Sequence, residues 1–124
     1  RILIHQERRG ALWQTIEEPI FLVDTLLSFN GQKKPALVDC LTLWLTNILL
    51  LDKDIGKELD ELCALVMNID YPVVFISNEV GQGVIPDNSL AREFIDWSGK
   101  MNQQISGVSD LVIFVTAGIP QILK

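Results

Sequence analysis

The chain has few residues of the kinds that bind structural metals, form disulfides or hold nucleic acid. Its 124 residues include one histidine and two cysteines, and Cys40 and Cys63 form neither a zinc motif nor a disulfide framework. Two isolated cysteines are typical of small core residues in a reducing compartment, here the cytoplasm. The formal net charge of −6 argues against nucleic-acid binding, which needs a basic face.

Membrane and export signals are lacking too. No apolar run approaches the roughly 20 residues of a membrane-spanning helix, and no signal peptide is visible. An unrelated acidic α/β hydrolase is a weak hypothesis, because the sequence has no Gly-x-Ser-x-Gly elbow to support it. With 48% hydrophobic and 21% charged residues, the composition is that of one globular domain.

What the sequence does contain is an alternation of strand and helix patterns. Apolar runs without alternation predict strands buried on both faces, at 36–41, 73–77 and 111–116, with a short return strand at 121–124. Apolar residues at helical intervals predict helices at 20–29, 43–51, 55–69 and 90–105. Asn88 is the expected N-cap of the last helix. This order predicts an α/β fold, a mostly parallel sheet with helices on both faces.

Polar and acidic residues follow two of these strands where each strand ends. Asp39 interrupts the first strand near its end and Thr42 follows it, whereas Asn78 and Glu79 follow the second strand. Ligands of open α/β sheets sit at this edge. An acid in a buried strand is costly unless a partner or a ligand compensates it. Asp39 is therefore the strongest candidate for a binding site, with the other three as possible lining.

Three other residues allow both a structural and a functional interpretation. Gly81 and Gly83 follow the second strand, where glycine permits either a positive φ or the close approach of a ligand. We favour a structural role for both. His5 is the only histidine, and a lone histidine near a terminus is by itself more typical of a surface or packing residue.

Several segments match a set of family motifs in order. Residues 1–17 fit R-I-x-x-H…R…W-x-T-x-E, and residues 37–47 fit L-[DE]-C-x-T-x-[WM]-x-x-N, apart from Val38. Residues 77–86 fit [ST]-N-E-V-G-x-G-[IV]-[IV]-P, and residues 90–103 fit L-A-R-x-F-x-D-x-x-G-x-x-N-Q. Together with the closing segment, this ordered set resembles the bifunctional adenosylcobinamide kinase/adenosylcobinamide-phosphate guanylyltransferase family of cobalamin biosynthesis.

The resemblance implies a P-loop NTPase-like fold of the RecA type. Family members begin with a strand and a G-G-x-R-S-G-K-S loop, whose backbone amides and lysine hold nucleotide phosphates. No such loop occurs in these 124 residues, and the first residue is Arg rather than Met. We expect residues 1–124 to be one α/β domain, about the C-terminal two-thirds of a kinase/guanylyltransferase domain without its first strand and loop. Alone, they should bind GTP weakly and be inactive.

The resemblance also implies the chemistry. His5 falls on the family's guanylylated histidine, which takes GMP from GTP and passes it to adenosylcobinamide phosphate. The implied substrates are GTP, ATP and adenosylcobinamide or its phosphate, with Mg²⁺, in a homo-oligomer that is a trimer by family resemblance. The nucleotide-binding residues that the resemblance implies are Gln6, Glu7, Arg8, Arg9, Glu17 and Asp39. For Asp39 a magnesium contact is the open alternative.

A second hypothesis is a truncated, non-catalytic subunit or interaction module of the same fold. A chain without the phosphate-binding loop could still assemble through its apolar helices. The coding sequence upstream of Arg1 separates the two hypotheses. A glycine-rich loop with Lys-Ser there favours the enzyme, and a start codon close to Arg1 favours the interaction module.

Overall fold

The computed structural model describes residues 10–124, which form a mixed α/β fold. A single 3-10 turn, Gly10–Leu12, comes first. The helices and strands that follow are α1 Leu22–Leu27, β1 Ala36–Asp39, α2 Leu41–Leu50, α3 Ile55–Val66, β2 Val73–Ile76, α4 Ser89–Val108, β3 Ile113–Thr116 and β4 Ile119–Ile122. Their order confirms the predicted alternation, with boundaries shifted by a few residues. No helix in this part of the chain is long and apolar enough to cross a membrane.

Side-chain caps fix the starts of the two longest helices. Asn88 Oδ1 accepts a hydrogen bond from the Ala91 N–H at 3.0 Å, which confirms the predicted N-cap of α4. Asp54 Oδ1 accepts one from the Lys57 N–H at 3.0 Å and caps α3 in the same way. Each cap satisfies a backbone donor that has no partner within its helix.

The core lies between the helices. Leu45 and Ile48 of α2, Leu59 of α3 and Met101 of α4 are completely buried and belong to one cluster. Leu59 and Met101 lie on the apolar stripes at the predicted helical intervals. Helix α2 is instead apolar on more than one face, because Leu43 and Leu50 remain 59% and 66% exposed. Both free cysteines are only half-buried, and Cys63 packs against this cluster. Partial burial, with a smaller contribution from Asp60, raises the pKa of the Cys63 thiol.

Strands β1 and β2 form a parallel pair whose register runs from Ala36 opposite Val73 to Asp39 opposite Ile76. One face of this pair packs on the helical core. On the other face Leu37, Val74 and Ile76 remain 46%, 55% and 42% exposed. The expectation of strands buried on both faces, with helices on both sides, is therefore wrong for the part of the chain described. An apolar run identifies a strand but does not show whether both of its faces are covered.

The third predicted strand does not join this parallel pair. β3 pairs with β4 as an antiparallel hairpin, with Ile113 opposite Ile122. The two turn residues, Ala117 and Gly118, both have positive φ, at 53° and 76°. This is the turn geometry that matches the twist of a two-residue hairpin. The return strand was expected at 121–124 but begins at Ile119. The turn occupies only two residues, so the second strand starts directly after Gly118.

Candidate functional site

The carboxyl ends of β1 and β2 lie side by side, which confirms the predicted edge. The parallel register places Asp39 opposite Ile76, so the residues after each strand leave from the same side. The backbone N–H of Asn78 donates to Thr42 Oγ1 at 2.8 Å. This bond joins the loop after β2 to the first turn of α2, so the structure brings two predicted site residues into direct contact.

Helix α4 holds the same loop from another side. The Ser77 hydroxyl donates to Asn102 Oδ1 at 2.6 Å, and Asn102 Nδ2 donates to the Asn78 carbonyl at 3.4 Å. Asn102 is thus part of the site's framework, a role that the sequence reasoning missed. Its position in the family motif at 90–103 could have indicated this role. Helical periodicity alone shows only that Asn102 is a polar residue.

Asp39 lies at the end of β1 with its side chain exposed. The prediction that this acid occupies a buried, costly position is wrong, because every second residue of β1 faces solvent. Its carboxylate is instead open to a ligand at the sheet edge. Residues 10–124 contain no group of three or more His, Cys, Asp or Glu side chains that could hold a metal ion by themselves.

Glu79 is held in place by its own loop. Its Oε1 accepts a hydrogen bond from the Gly81 N–H at 2.8 Å, and a Cβ on Gly81 would lie only 3.0 Å from that oxygen. Neither Gly81 nor Gly83 adopts a positive φ, so the turn does not require glycine for that reason. A side chain at Gly81 would crowd the Glu79 carboxylate, which lies at the end of an exposed side chain.

Beside this loop runs an open cleft of about 530 Å³. Its lining comes from the loop after β2 and from one face of α4. The lining residues are Glu79, Gly99, Asn102, Gln103 and Ser106. The cleft therefore adjoins the carboxyl edge of β2, where ligands of α/β sheets bind.

Glu17 is exposed on a segment that α2 ties down. Trp44 Nε1 donates to the Ile20 carbonyl at 3.0 Å, and Asn47 Nδ2 donates to the Pro19 carbonyl at 3.0 Å. These two bonds bring the segment next to the helix that begins at the site edge. They also show what Trp44 and Asn47, both positions of the family motif, do in the structure, which the sequence reasoning did not supply.

The neighbouring Glu18 has a separate, local role. Its Oε1 accepts hydrogen bonds from the backbone N–H groups of Phe21 and Ile20, at 2.8 and 2.9 Å. These two bonds lower the pKa of the Glu18 carboxyl below its ordinary value of 4.5, the Phe21 bond most. The acid beside Glu17 therefore organises the entry into α1.

The remaining predicted site residues, His5, Gln6, Glu7, Arg8 and Arg9, lie outside the described residues. The described site consists of Asp39, Thr42, Asn78 and Glu79 at one edge, with Glu17 on a segment tied to α2. Such an edge, with carboxylates, a hydroxyl and an adjoining cleft, can hold a polar ligand.

Comparison with known proteins identifies the family of this chain. Residues 1–123 match the family described as cobinamide kinase / cobinamide phosphate guanyltransferase. The chain belongs to this family. The cobinamide kinase/guanyltransferase family is the one that the ordered motifs indicated, so that resemblance is confirmed. The hypothesis of an unrelated hydrolase is set aside.

Curated relatives are similar to this protein over nearly the whole chain. Bifunctional adenosylcobalamin biosynthesis protein CobP of Pseudomonas aeruginosa is 40% identical over 126 aligned residues, covering 100% of this chain and 73% of the relative. The CobU proteins of Salmonella typhimurium and Escherichia coli are 33% and 29% identical. Each covers 96% of this chain, which in turn spans 74% of the relative.

Proposed function

We propose that this protein acts in cobalamin biosynthesis as an adenosylcobinamide kinase and adenosylcobinamide-phosphate guanylyltransferase. The main support is the family match over residues 1–123 together with the gathering of Asp39, Thr42, Asn78 and Glu79 at the carboxyl edge of β1 and β2. The kinase step transfers the γ-phosphoryl group of ATP or GTP to the substrate hydroxyl. The second step transfers GMP to the phosphate so formed.

The guanylyl transfer proceeds in two displacements through His5. A neutral imidazole nitrogen attacks the α-phosphorus of GTP, an N–P bond forms, and the bond to the leaving oxygen of pyrophosphate breaks. A phosphate oxygen of adenosylcobinamide phosphate then attacks the same phosphorus. The N–P bond breaks, the imidazole is restored, and the product is adenosylcobinamide-GDP.

Residues at the sheet edge and in the preceding segment bind the nucleotide in this proposal. Arg8 and Arg9 neutralise phosphate oxygens as charge develops, with Gln6 and Glu7 alongside them. Glu17 accepts hydrogen bonds from ribose hydroxyls or guanine N–H groups.

Asp39 fits either a nucleotide contact or a magnesium contact. Magnesium is commonly held by one or two carboxylates together with substrate phosphates, and an exposed carboxylate at the strand end suits that mode. When bound, Mg²⁺ neutralises phosphate charge. The orientation of GTP depends on the residues of this chain in either case.

We also propose that the fold is P-loop NTPase-like, of the RecA type. The parallel pairing of β1 with β2, each followed by a helix, supports it. Because the 124 residues contain no G-G-x-R-S-G-K-S loop, we expect them alone to hold GTP weakly. GTP-dependent turnover by a 124-residue chain, purified free of any longer form, would contradict this.

The assembly proposed from the family resemblance is a homo-oligomer, a trimer. Large apolar side chains on the β3–β4 hairpin support an interface, because Ile113, Val115, Ile119 and Ile122 are 49% to 75% exposed. The free cysteines support a cytoplasmic location. For the oligomer, light scattering of the purified protein would measure its molecular mass, and a monomer at micromolar concentration would exclude the trimer.

The histidine intermediate is testable with GTP labelled at the α-phosphate. The complete product of the reading frame that encodes these residues should retain label at alkaline pH and lose it in acid, as a phosphoramidate does. Adding adenosylcobinamide phosphate should move the label from protein to corrinoid. If His5→Ala is labelled as strongly as the parent, the assignment of His5 is wrong.

The Asp39 carboxylate has its own test. Asp39→Asn should weaken GTP binding by about tenfold, roughly the value of one charge-assisted contact, with the fold retained. Because the side chain is exposed, the midpoint of urea unfolding should stay close to that of the parent. Unchanged GTP affinity would remove Asp39 from the nucleotide site.

A further inference from the structure

The cleft beside the loop after β2 has a position and a lining that the nucleotide does not explain. It lies on the α4 side of that loop, whereas Asp39 and Thr42 lie on the β1 and α2 side. Asn102 belongs to both regions, because it lines the cleft and also holds the loop through Ser77 and Asn78. A ligand in the cleft would therefore lie next to a ligand bound at the sheet edge.

The chemistry of the lining favours a neutral ligand with hydrogen-bonding groups. The lining side chains are two carboxamides, one hydroxyl and one carboxylate, and no Lys or Arg of residues 10–124 is among them. A carboxamide donates two hydrogen bonds and accepts two, so it pairs well with another carboxamide. Within the described lining, a phosphate would meet the Glu79 carboxylate without a compensating cation, which is unfavourable.

We propose that this cleft binds the carboxamide-bearing rim of the corrinoid substrate. The inference rests on the proposed function, since it assumes a cobinamide as the second substrate. Corrinoids carry several primary carboxamides on their periphery, which Asn102 and Gln103 can pair with. An open cleft of about 530 Å³ suits a large ligand that inserts one edge. Its place beside the sheet edge would bring the corrinoid's hydroxyl or phosphate arm toward the nucleotide.

Gly99 makes the proposal testable without damage to the fold. It lines the cleft, and an added Cβ there would meet no other atom within 4 Å. A larger side chain at this position would occupy the cleft instead of displacing the core. Gly107 offers a matched control, because it lies on the same helix, also has open space around its Cβ, and does not line the cleft. Replacing either helical glycine should favour the helix.

The experiment compares Gly99→Leu with Gly107→Leu in the complete product of the reading frame. Equilibrium dialysis with adenosylcobinamide, read by corrin absorbance, gives the Kd, and kinase assays give the KM for adenosylcobinamide and for ATP. Gly99→Leu should raise the adenosylcobinamide Kd and KM by about tenfold or more, or roughly 1.4 kcal/mol. The KM for ATP should change by less than about twofold, and Gly107→Leu should resemble the parent in both.

A second pair tests the amide contact itself. Gln103→Leu removes a carboxamide of the lining, and Gln104→Leu makes the same change at the next, exposed residue, which does not line the cleft. Only the change at Gln103 should weaken corrinoid binding. The proposal is overturned if the parent does not bind adenosylcobinamide, if Gly99→Leu binds it as well as the parent, or if both glutamine variants behave alike.

The two proposals fail in different ways. GMP labelling of the protein needs GTP but no corrinoid, so it should be unchanged in Gly99→Leu. If labelling is absent while adenosylcobinamide still binds and the Gly99 and Gln103 variants lose that binding, the guanylyl-histidine step fails and the cleft assignment stands. If labelling at His5 is intact and the Gly99 and Gln103 variants bind corrinoid normally, only the cleft assignment fails.

Discussion

The helices and the strands of this protein bury their apolar residues to different degrees. On the helices, residues such as Leu45, Leu59 and Leu62 are completely buried and pack on one another. On the strands, Leu37 and Val74 leave much of their surface exposed. The stability of the described region therefore resides mainly between the helices. The strands contribute one packed face and an edge at which polar groups gather.

The largest expected effect comes from one substitution made in both regions. Leu45→Ala should lower the free energy of unfolding of the 124-residue chain by about 2–5 kcal/mol, because it leaves a cavity in a packed core. Leu37→Ala, on the exposed face of β1, should cost less than about 1 kcal/mol. Urea unfolding followed by circular dichroism measures both. Equal costs would show that the face of Leu37 is covered in the folded protein.

A smaller effect is expected where a helix residue anchors the segment before α1. Trp44 is 4% exposed and donates its indole N–H to the Ile20 carbonyl. Trp44→Phe should cost about 1–3 kcal/mol, since it removes this bond and part of a buried ring. Trp13→Phe is the matched control, because Trp13 is 51% exposed, and it should change stability by less than about 0.5 kcal/mol. A cost for Trp13→Phe as large as that for Trp44→Phe would contradict this account of the anchor.

The smallest effect is a pH dependence that belongs to Glu18. Two backbone N–H groups lower the folded-state pKa of its carboxyl below 4.5, so the ionised form stabilises the folded state. This stabilisation is present above the unfolded pKa and is lost as the pH falls through the lower folded value. Glu18→Gln should be less stable than the parent near neutral pH, and the difference should shrink below about pH 4.5. A constant difference in unfolding midpoint across that range would show that the charge has no role.

The sequence predicted the local elements better than their partners. Asn88 was predictable as a cap because an amide side chain just before an amphipathic run has a specific role in local structure. The pairing of β3 was not, because an apolar run shows only that a strand forms, whereas the positive-φ turn at Ala117 and Gly118 sets the partner. The prediction that both faces of β1 are buried was wrong, because an apolar run does not show what covers each face of the strand.

For the site, the chain order of polar groups after strands was informative. It placed Asp39 and Asn78 at one edge, and the register and the Thr42 hydrogen bond confirm that edge. Asn102 and the cleft were not predictable from periodicity. A polar residue on an amphipathic helix looks the same in sequence whether it faces solvent or holds a loop through two hydrogen bonds.

We propose that GTP bound at this edge guanylylates His5. The most direct measurement is tandem mass spectrometry of the complete protein after incubation with GTP, digested at alkaline pH to preserve an N–P bond. We expect a GMP adduct on the His5 imidazole that disappears when adenosylcobinamide phosphate is added. A stable adduct on any other residue, or none while adenosylcobinamide-GDP still forms, would contradict it.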